Sequence, residues 1–134
     1  ATGAEFGDLG DVDMEIGMGQ HGEGGGGRQP MKTAKETIEI MANALVKDIP
    51  LHAGDRAFVM INGSGATTLM EMFILYKDCV HYLEGLGIEV VANMVGEILT
   101  VQEQAGFQLN IAKWDEEFLR LWNTPAHTPA FFKE

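Results

Sequence analysis

His21 is the residue whose type and surroundings are best suited to chemistry. It follows a segment that alternates like a strand, glycines flank it at Gly19 and Gly22, and Glu23 lies two residues further on. Small neighbours let a ligand and the backbone approach the ring closely. A neutral imidazole nitrogen can attack a carbonyl carbon when Glu23 or the backbone orients the other nitrogen. We therefore expect His21 to bind a substrate, with Gly19, Gly22 and Glu23 around it.

The other histidines and the one cysteine suggest no site. His52 falls in a helix-to-strand loop, His81 beside the apolar stripe of a helix, and His127 between two prolines. We interpret His52 and His81 as surface or satisfied histidines, and the spacing fits no zinc site, so we expect no metal. Cys79 lies in a helical apolar pattern and is expected to be a buried structural thiol. A single cysteine excludes an intrachain disulfide and favours a reducing, cytoplasmic setting.

A second candidate is the glycine-containing turn over residues 62–68, which joins a buried strand to a helix. Such a turn presents N–H groups at the positive end of the helix, which suits an anion or a polar ligand. The candidate ligand residues are Asn62, Gly63, Ser64, Gly65 and Thr67. No Walker lysine follows, so a nucleoside triphosphate loop is not indicated. A plain tight connection, capped by Thr67 or Thr68, explains the same residues, and both interpretations remain open.

The glycines before and after His21 also match the spacing of a dinucleotide-binding loop. In that loop the third glycine lies at the start of a helix. Here Gly22 is followed by Glu23 and the run Gly24–Gly27, which cannot begin a helix. We interpret the match as coincidental.

The hydrophobic periodicity predicts an α/β protein, with a layered mixed sheet of four to six strands and helices packed on it. The predicted elements are a strand over 11–18, a helix over 33–47, a strand over 57–61, a helix over 69–83, strands over 88–91 and 107–111, and a helix over 115–122. Thr33 and Glu36 match a capping box. The element order implies right-handed crossovers, and the strand over 107–111 is expected to be antiparallel to a neighbour. We predict one domain over 1–134, with 1–10 and 22–31 flexible.

Composition excludes several classes of protein. The chain has 134 residues, 46% of them hydrophobic, and a formal charge of -11. Nucleic-acid binding needs a concentrated positive patch, which this balance disfavours. No apolar run approaches the roughly 18 residues of a membrane span, and the N-terminal residues do not resemble a signal peptide. We expect neither a nucleic acid nor a membrane as a partner.

Four segments in order resemble the substrate-binding (K) subunits of the dihydroxyacetone kinases. Residues 14–23 (MEIGMGQHGE) are similar to the family's G-x-G-x-H-G-E segment, and residues 62–71 (NGSGATTLME) to its N-G-x-G-x-T-x-x-x-E segment. Residues 95–96 with 105–107 resemble its V-G…A-G-F stretch, and residues 122–130 (WNTPAHTPA) its terminal W-x-x-P-x-x-T-P motif. The resemblance runs from about residue 10 to residue 130.

The resemblance implies a fold, an activity and partners. The chain would be the second, histidine-bearing part of the K-type fold, and His21 would hold a short ketose as a hemiaminal, which glycerol cannot form because it has no carbonyl. The phosphoryl group would come from ATP-Mg, or from phosphotransferase-linked bound ADP, on a nucleotide-binding (L-type) subunit, with no cofactor on this chain. A homo-oligomer is also expected. The alternative is a non-catalytic paralogue that senses a ligand or regulates.

The sequence departs from the family pattern in three ways. The family's substrate subunit is more than twice as long, and its general base histidine and activating aspartate belong to the other half. We therefore expect this chain alone to be inactive and the missing N-terminal half to be a partner. Gly24–Gly27 replaces a proline-containing continuation, and Gln20 replaces an aliphatic residue. The sugar could accordingly be dihydroxyacetone or a four-carbon ketose.

Overall fold

The computed structural model describes residues 9–19, 25–99, 101–102 and 104–134. The elements are β1 (Asp13–Glu15), β2 (Arg28–Pro30), α1 (Ala34–Asp48), β3 (Arg56–Gly63), α2 (Leu69–Gly85), β4 (Glu89–Gly96), β5 (Phe107–Trp114), α3 (Glu116–Trp122), β6 (Ala126–His127) and β7 (Phe132–Lys133). The fold is mixed α/β, as the hydrophobic periodicity predicts.

A mixed sheet of order β4–β3–β5 forms the centre of the described structure. The parallel strands β3 and β4 are joined through α2, and β5 runs antiparallel to β3 as predicted. At the C-terminal end of β3, Asn62 is paired with Gly96 on one side and Gln108 on the other. The segments that carry the family motifs therefore meet at one end of the sheet.

The sheet is narrower in the described residues than the predicted four to six strands. The predicted strand over 11–18 is shortened to β1, which pairs with β2 in a separate antiparallel ribbon. Gly17 turns the chain with a φ of 82°, which ends the strand. Part of the segment over 22–31 is also regular, because β2 lies within it. The ribbon of β6 and β7 was not predicted, since two-residue strands are too short to show alternation.

The two long helices cover one face of the sheet and form the core with it. Alternate residues of β3 (Ala57, Val59 and Ile61) point into this core, as the two-residue period of a strand requires. Cys79 of α2 is fully buried among them, as expected. Each helix begins with a capping box, formed by Thr33 in α1 and by Thr68 in α2.

An aromatic cluster lies on the opposite face of β3. Phe58 alternates with the core residues and stacks on Trp114, with ring centroids 4.8 Å apart and planes within 4°. Trp122 of α3 meets Phe58 edge-on at 5.3 Å, and the Lys133 ammonium lies 4.4 Å from the centre of its ring. Stacking and cation–π contacts therefore hold α3 and the C-terminal ribbon to the sheet.

Candidate substrate-binding site

The end of β1 and the start of β2 are fastened together at Gly25 and Gly26. The Gly26 amide donates to the Ile16 carbonyl at 2.6 Å. A Cβ on Gly25 would come within 2.5 Å of the Gly17 carbonyl carbon and the Met18 nitrogen, so only glycine fits. The described residues before and after segment 20–24 are thus in direct contact. His21, Gly22 and Glu23 lie outside the described residues, and their expected roles remain predictions.

Asn62 is buried, and its side chain makes four hydrogen bonds. Its Oδ1 accepts from the amides of Ile98 and Leu99 at 2.7 and 2.9 Å. Its Nδ2 donates to the Leu99 carbonyl at 2.7 Å and to Gln108 Oε1 at 3.0 Å. These bonds use both amide hydrogens and both oxygen lone pairs. The side chain therefore fixes the loop after β4 to the end of β3.

The turn after β3 is bound to the segment before β5. The Ser64 amide donates to the Gly106 carbonyl at 3.0 Å, and the Ala66 amide donates to the Gln104 carbonyl at 3.2 Å. The Thr67 hydroxyl donates to the same Gly106 carbonyl at 2.7 Å. Two amides of the turn are thus engaged with protein acceptors.

The N-terminus of α2 already holds a carboxylate. Glu71 accepts from the amide and hydroxyl of Thr68 at 2.8 and 2.7 Å, and its own amide donates to the Thr68 hydroxyl at 3.3 Å. Hydrogen bonds from the Thr68 hydroxyl and then its amide lower the pKa of Glu71, so it stays ionised at the positive helix end. Of the two interpretations, this geometry favours a structural connection, with Thr68 as its cap.

A groove of about 970 Å³ brings several predicted residues together. Gly19 lines it beside Gly17 and Met18, and the turn contributes Asn62, Ser64 and Thr67 on the other side. Gly63 and Gly65 do not line it. Gly63 instead gives room to Glu97, whose side chain occupies the space a Cβ would take.

The loop between β4 and β5 supplies walls that residue types alone did not reveal. The groove is also lined by Ile98, Leu99, Val101, Gln104 and Gln108. Ile98 and Leu99 are 44% and 55% exposed, unusual for large aliphatic side chains beside a cavity. The only sequence signal was the glycine-containing motif over 95–96 and 105–107, which brackets this loop. The groove can hold a small polar molecule against an apolar wall.

The described residues offer no metal site and no membrane helix. Outside 1–8, 20–24, 100 and 103, no three His, Cys, Asp or Glu side chains converge as ligands. No helix in those ranges has the length and apolar character to cross a bilayer. The remaining histidines that were predicted to be unremarkable, His52 and His81, are exposed.

This mixed α/β fold, with a groove walled by the glycine segment after β1, defines a class of sugar-kinase domain. The Dak1 domain matches residues 1–130, and the chain belongs to that family.

Two curated relatives illustrate the similarity. The chain is 38% identical to L-erythrulose kinase of Pectobacterium atrosepticum, over 90% of this chain and 21% of the relative. It is 30% identical to the dihydroxyacetone-binding subunit DhaK of the PEP-dependent dihydroxyacetone kinase of Escherichia coli, over 91% of this chain and 41% of the relative. The chain therefore spans less than half the length of either relative.

Two solved structures share the fold. One, described as concerning regulation of the dha operon of Lactococcus lactis, has a TM-score of 0.79 and 29% identity, over 89% of this chain and 37% of that one. The other, a dihydroxyacetone kinase operon co-activator, Dha-DhaQ, has a TM-score of 0.80 and 27% identity, over 87% of this chain and 37% of that one.

Proposed function

We propose that this chain is the ketose-capturing part of a dihydroxyacetone-type kinase and that His21 holds the sugar covalently. The supporting observation is that Gly17, Met18 and Gly19 form one wall of the groove. Two residues of extended chain span at most about 7 Å, so covalent connectivity alone keeps residue 21 within that distance of Gly19. A sugar held by His21 can therefore reach the groove.

The capture step needs no co-reactant. An imidazole nitrogen attacks the ketose carbonyl carbon, a C–N bond forms, and the carbonyl π pair moves to oxygen. The proton on the other ring nitrogen leaves through Glu23 or solvent, and the new alkoxide takes up a proton. The product is a neutral hemiaminal with no group lost. Because only a carbonyl compound can react, the step selects ketoses and aldehydes against glycerol.

Phosphoryl transfer would then take place between subunits. We propose that ATP-Mg, or a bound ADP that a phosphotransferase recharges, lies on an L-type nucleotide-binding partner, and that this chain binds no cofactor of its own. The terminal hydroxyl of the captured sugar attacks the γ-phosphoryl group, so positioning supplies most of this chain's contribution. The base that takes the hydroxyl proton would come from the missing N-terminal half of the substrate unit. A homo-oligomer in a cytoplasmic setting completes the proposal.

Both three-carbon and four-carbon ketoses are candidate substrates. The relatives named above act on erythrulose or bind dihydroxyacetone, which differ by one hydroxymethylene group. A groove of this size accommodates either sugar. Competition between the two for one binding site, followed by nuclear magnetic resonance, would rank them.

Capture can be tested with dihydroxyacetone labelled with ¹³C at the carbonyl. We expect the ketone resonance to be replaced by a tetrahedral one, and the native mass to rise by the whole sugar without loss of water. His21→Ala should abolish both signals, whereas His81→Ala, which changes an exposed histidine of α2, should leave them unchanged. Absence of an adduct in the unaltered chain, with the rest of the unit supplied, would contradict capture.

A second candidate is a non-catalytic sensor of the same sugar. The observation that favours it is the similarity to the operon co-activator, whose TM-score matches that of the other solved structure. A kinase assay with the L-type subunit and its donor separates the two functions. An enzyme turns the sugar over, while a sensor forms the adduct and yields no phosphate ester.

A further inference from the structure

The outer edge of β5 is the least protected part of the described fold. Within the described residues, β5 lies at the end of the sheet order, and its pairing with β3 runs through eight residues without a register shift. The other edge strand, β4, has a shift in its pairing between Ala57 and Phe58. Proteins usually protect edge strands with charges, prolines or bulges. The one charged residue of β5, Lys113, is already bound by Asp55 at 2.7 Å.

The groove continues along this edge. Four consecutive β5 residues, Phe107 to Asn110, line it. Successive side chains of a strand point to opposite faces, so a cavity that meets all four must follow the edge itself. Its other walls carry exposed apolar side chains, listed here with their exposed fractions: Met31 61%, Leu99 55%, Ile98 44%, Ile74 43% and Met18 37%. Such a concentration of apolar surface marks an interaction site.

We infer that a β-strand from the rest of the substrate-binding unit pairs with the free edge of β5 and fills this groove with its side chains. The inference rests on the proposed function, which makes this chain one part of a larger unit. The relatives supply the length of chain required, because this chain spans only 41% of the Escherichia coli subunit and 37% of the Lactococcus lactis chain. Strand addition gives main-chain hydrogen bonds along the edge and pockets for alternate side chains.

Charge selects this occupant over a second copy of the chain. The charged residues that line the groove are Asp13, Glu15 and Glu71 against Lys32 alone. A second copy would bring the same acidic rim and a formal charge of -11 to its own image. Like charges facing each other oppose association. The added strand should therefore alternate apolar residues with neutral or basic ones.

The position of the edge gives the pairing a functional consequence. Gly19 and Gln108 line the same groove, so a strand added there would lie against the wall from which the chain leads to His21. Residues from the rest of the unit would then reach the captured sugar. The site would be complete only after assembly.

Amide hydrogen exchange over residues 107–114 tests the pairing. The free chain is compared with two assembled forms: a chimera in which it replaces the matching region of the Escherichia coli subunit, and a split form in which the remainder is co-expressed separately. We expect the outward-facing β5 amides to exchange at least about tenfold more slowly in either assembled form. Equal exchange in the free chain and in a folded chimera would overturn the inference.

Two matched substitutions test the groove in the split form. Ile98→Asp should weaken association by at least about tenfold, because it places a charge in the buried contact. Leu86→Asp should leave association unchanged, since Leu86 is equally exposed (43% against 44%) but does not line the groove. Equal effects of the two changes, or a remainder that never co-purifies with the chain, would count against strand addition.

Two further outcomes separate this inference from its alternatives. Protection of β5 in a homodimer of the free chain would make a second copy the occupant and overturn the inference. The labelled-ketose signal is read independently in every sample. An adduct without β5 protection rejects the pairing and leaves capture standing, while protection without an adduct does the reverse.

Discussion

Asn62 joins two parts of the chain that are far apart in sequence, at Leu99 and Gln108. Asn62→Ala would leave two amides and a carbonyl of the loop after β4 without partners in a half-buried place. We expect a loss of about 2–4 kcal/mol in the free energy of unfolding in urea, with faster amide exchange at Ile98 and Leu99. Asn43→Ala, on the exposed side of α1, should change stability by less than about 0.5 kcal/mol. Equal effects would show that the four bonds are not stabilising.

Cys79 provides a second prediction at the residue scale. Burial raises the pKa of its thiol from 9.0 to about 12. The folded protein should therefore resist a thiol reagent at pH 8 and react fully once urea unfolds it. The folded state also retains a proton that the unfolded state loses, so stability should decline as the pH rises from 9.0 toward 12. Rapid labelling of the folded protein would contradict this description of the thiol.

The sequence predicted the fate of individual residues when the reason was local. Burial of Cys79 followed from the helical spacing around it. The position of Asn62 at the end of a strand suggested a ligand residue, but its four hydrogen-bond partners lie 36 to 46 residues away. No periodicity reports such a contact. The same limit applies to Gly25, whose requirement for glycine comes from Gly17 across the ribbon.

At the scale of elements, the capping box of α2 predicts an acid dependence. Thr68→Ala should cost about 1 kcal/mol. Glu71 has a lowered pKa because Thr68 donates to its carboxylate, so its contribution is present above the unfolded-state value near 4.5 and is lost as the pH falls through the folded value. Glu71→Gln should remove this part of the acid dependence, measured as urea midpoints at neutral and acid pH. An unchanged pH profile would contradict it.

Helices were predicted better than strand partners. The bounds of α1 and α2 followed from capping residues and apolar spacing, which are both local. The alternation over 11–18 correctly indicated extended chain, but whether that strand joins the main sheet depends on contacts with β2 and on the turn at Gly17. The short ribbon of β6 and β7 depends on aromatic packing against Trp122, which no two-residue pattern can show.

On the scale of the whole molecule, the two faces of the sheet report on different events. Trp114 and Trp122 lie in the aromatic cluster, and neither lines the groove. Tryptophan emission should therefore change on unfolding in step with far-ultraviolet circular dichroism, and saturating dihydroxyacetone should leave it unaltered. Trp122→Phe, which keeps a ring in the cluster, identifies the emitting residue. An emission change on sugar binding would show that the faces are coupled.

The contact between Ile16 and Gly26 has a consequence for how this family diversifies. A bond that closes the base of a segment separates the segment's length from the geometry of everything beyond the bond. The entropy of closing a loop rises only slowly with its length, so insertions between Gly19 and Gly25 should cost the fold little. Exchange of one sugar for another could then proceed by lengthening or rewriting a single short stretch, with the groove inherited intact.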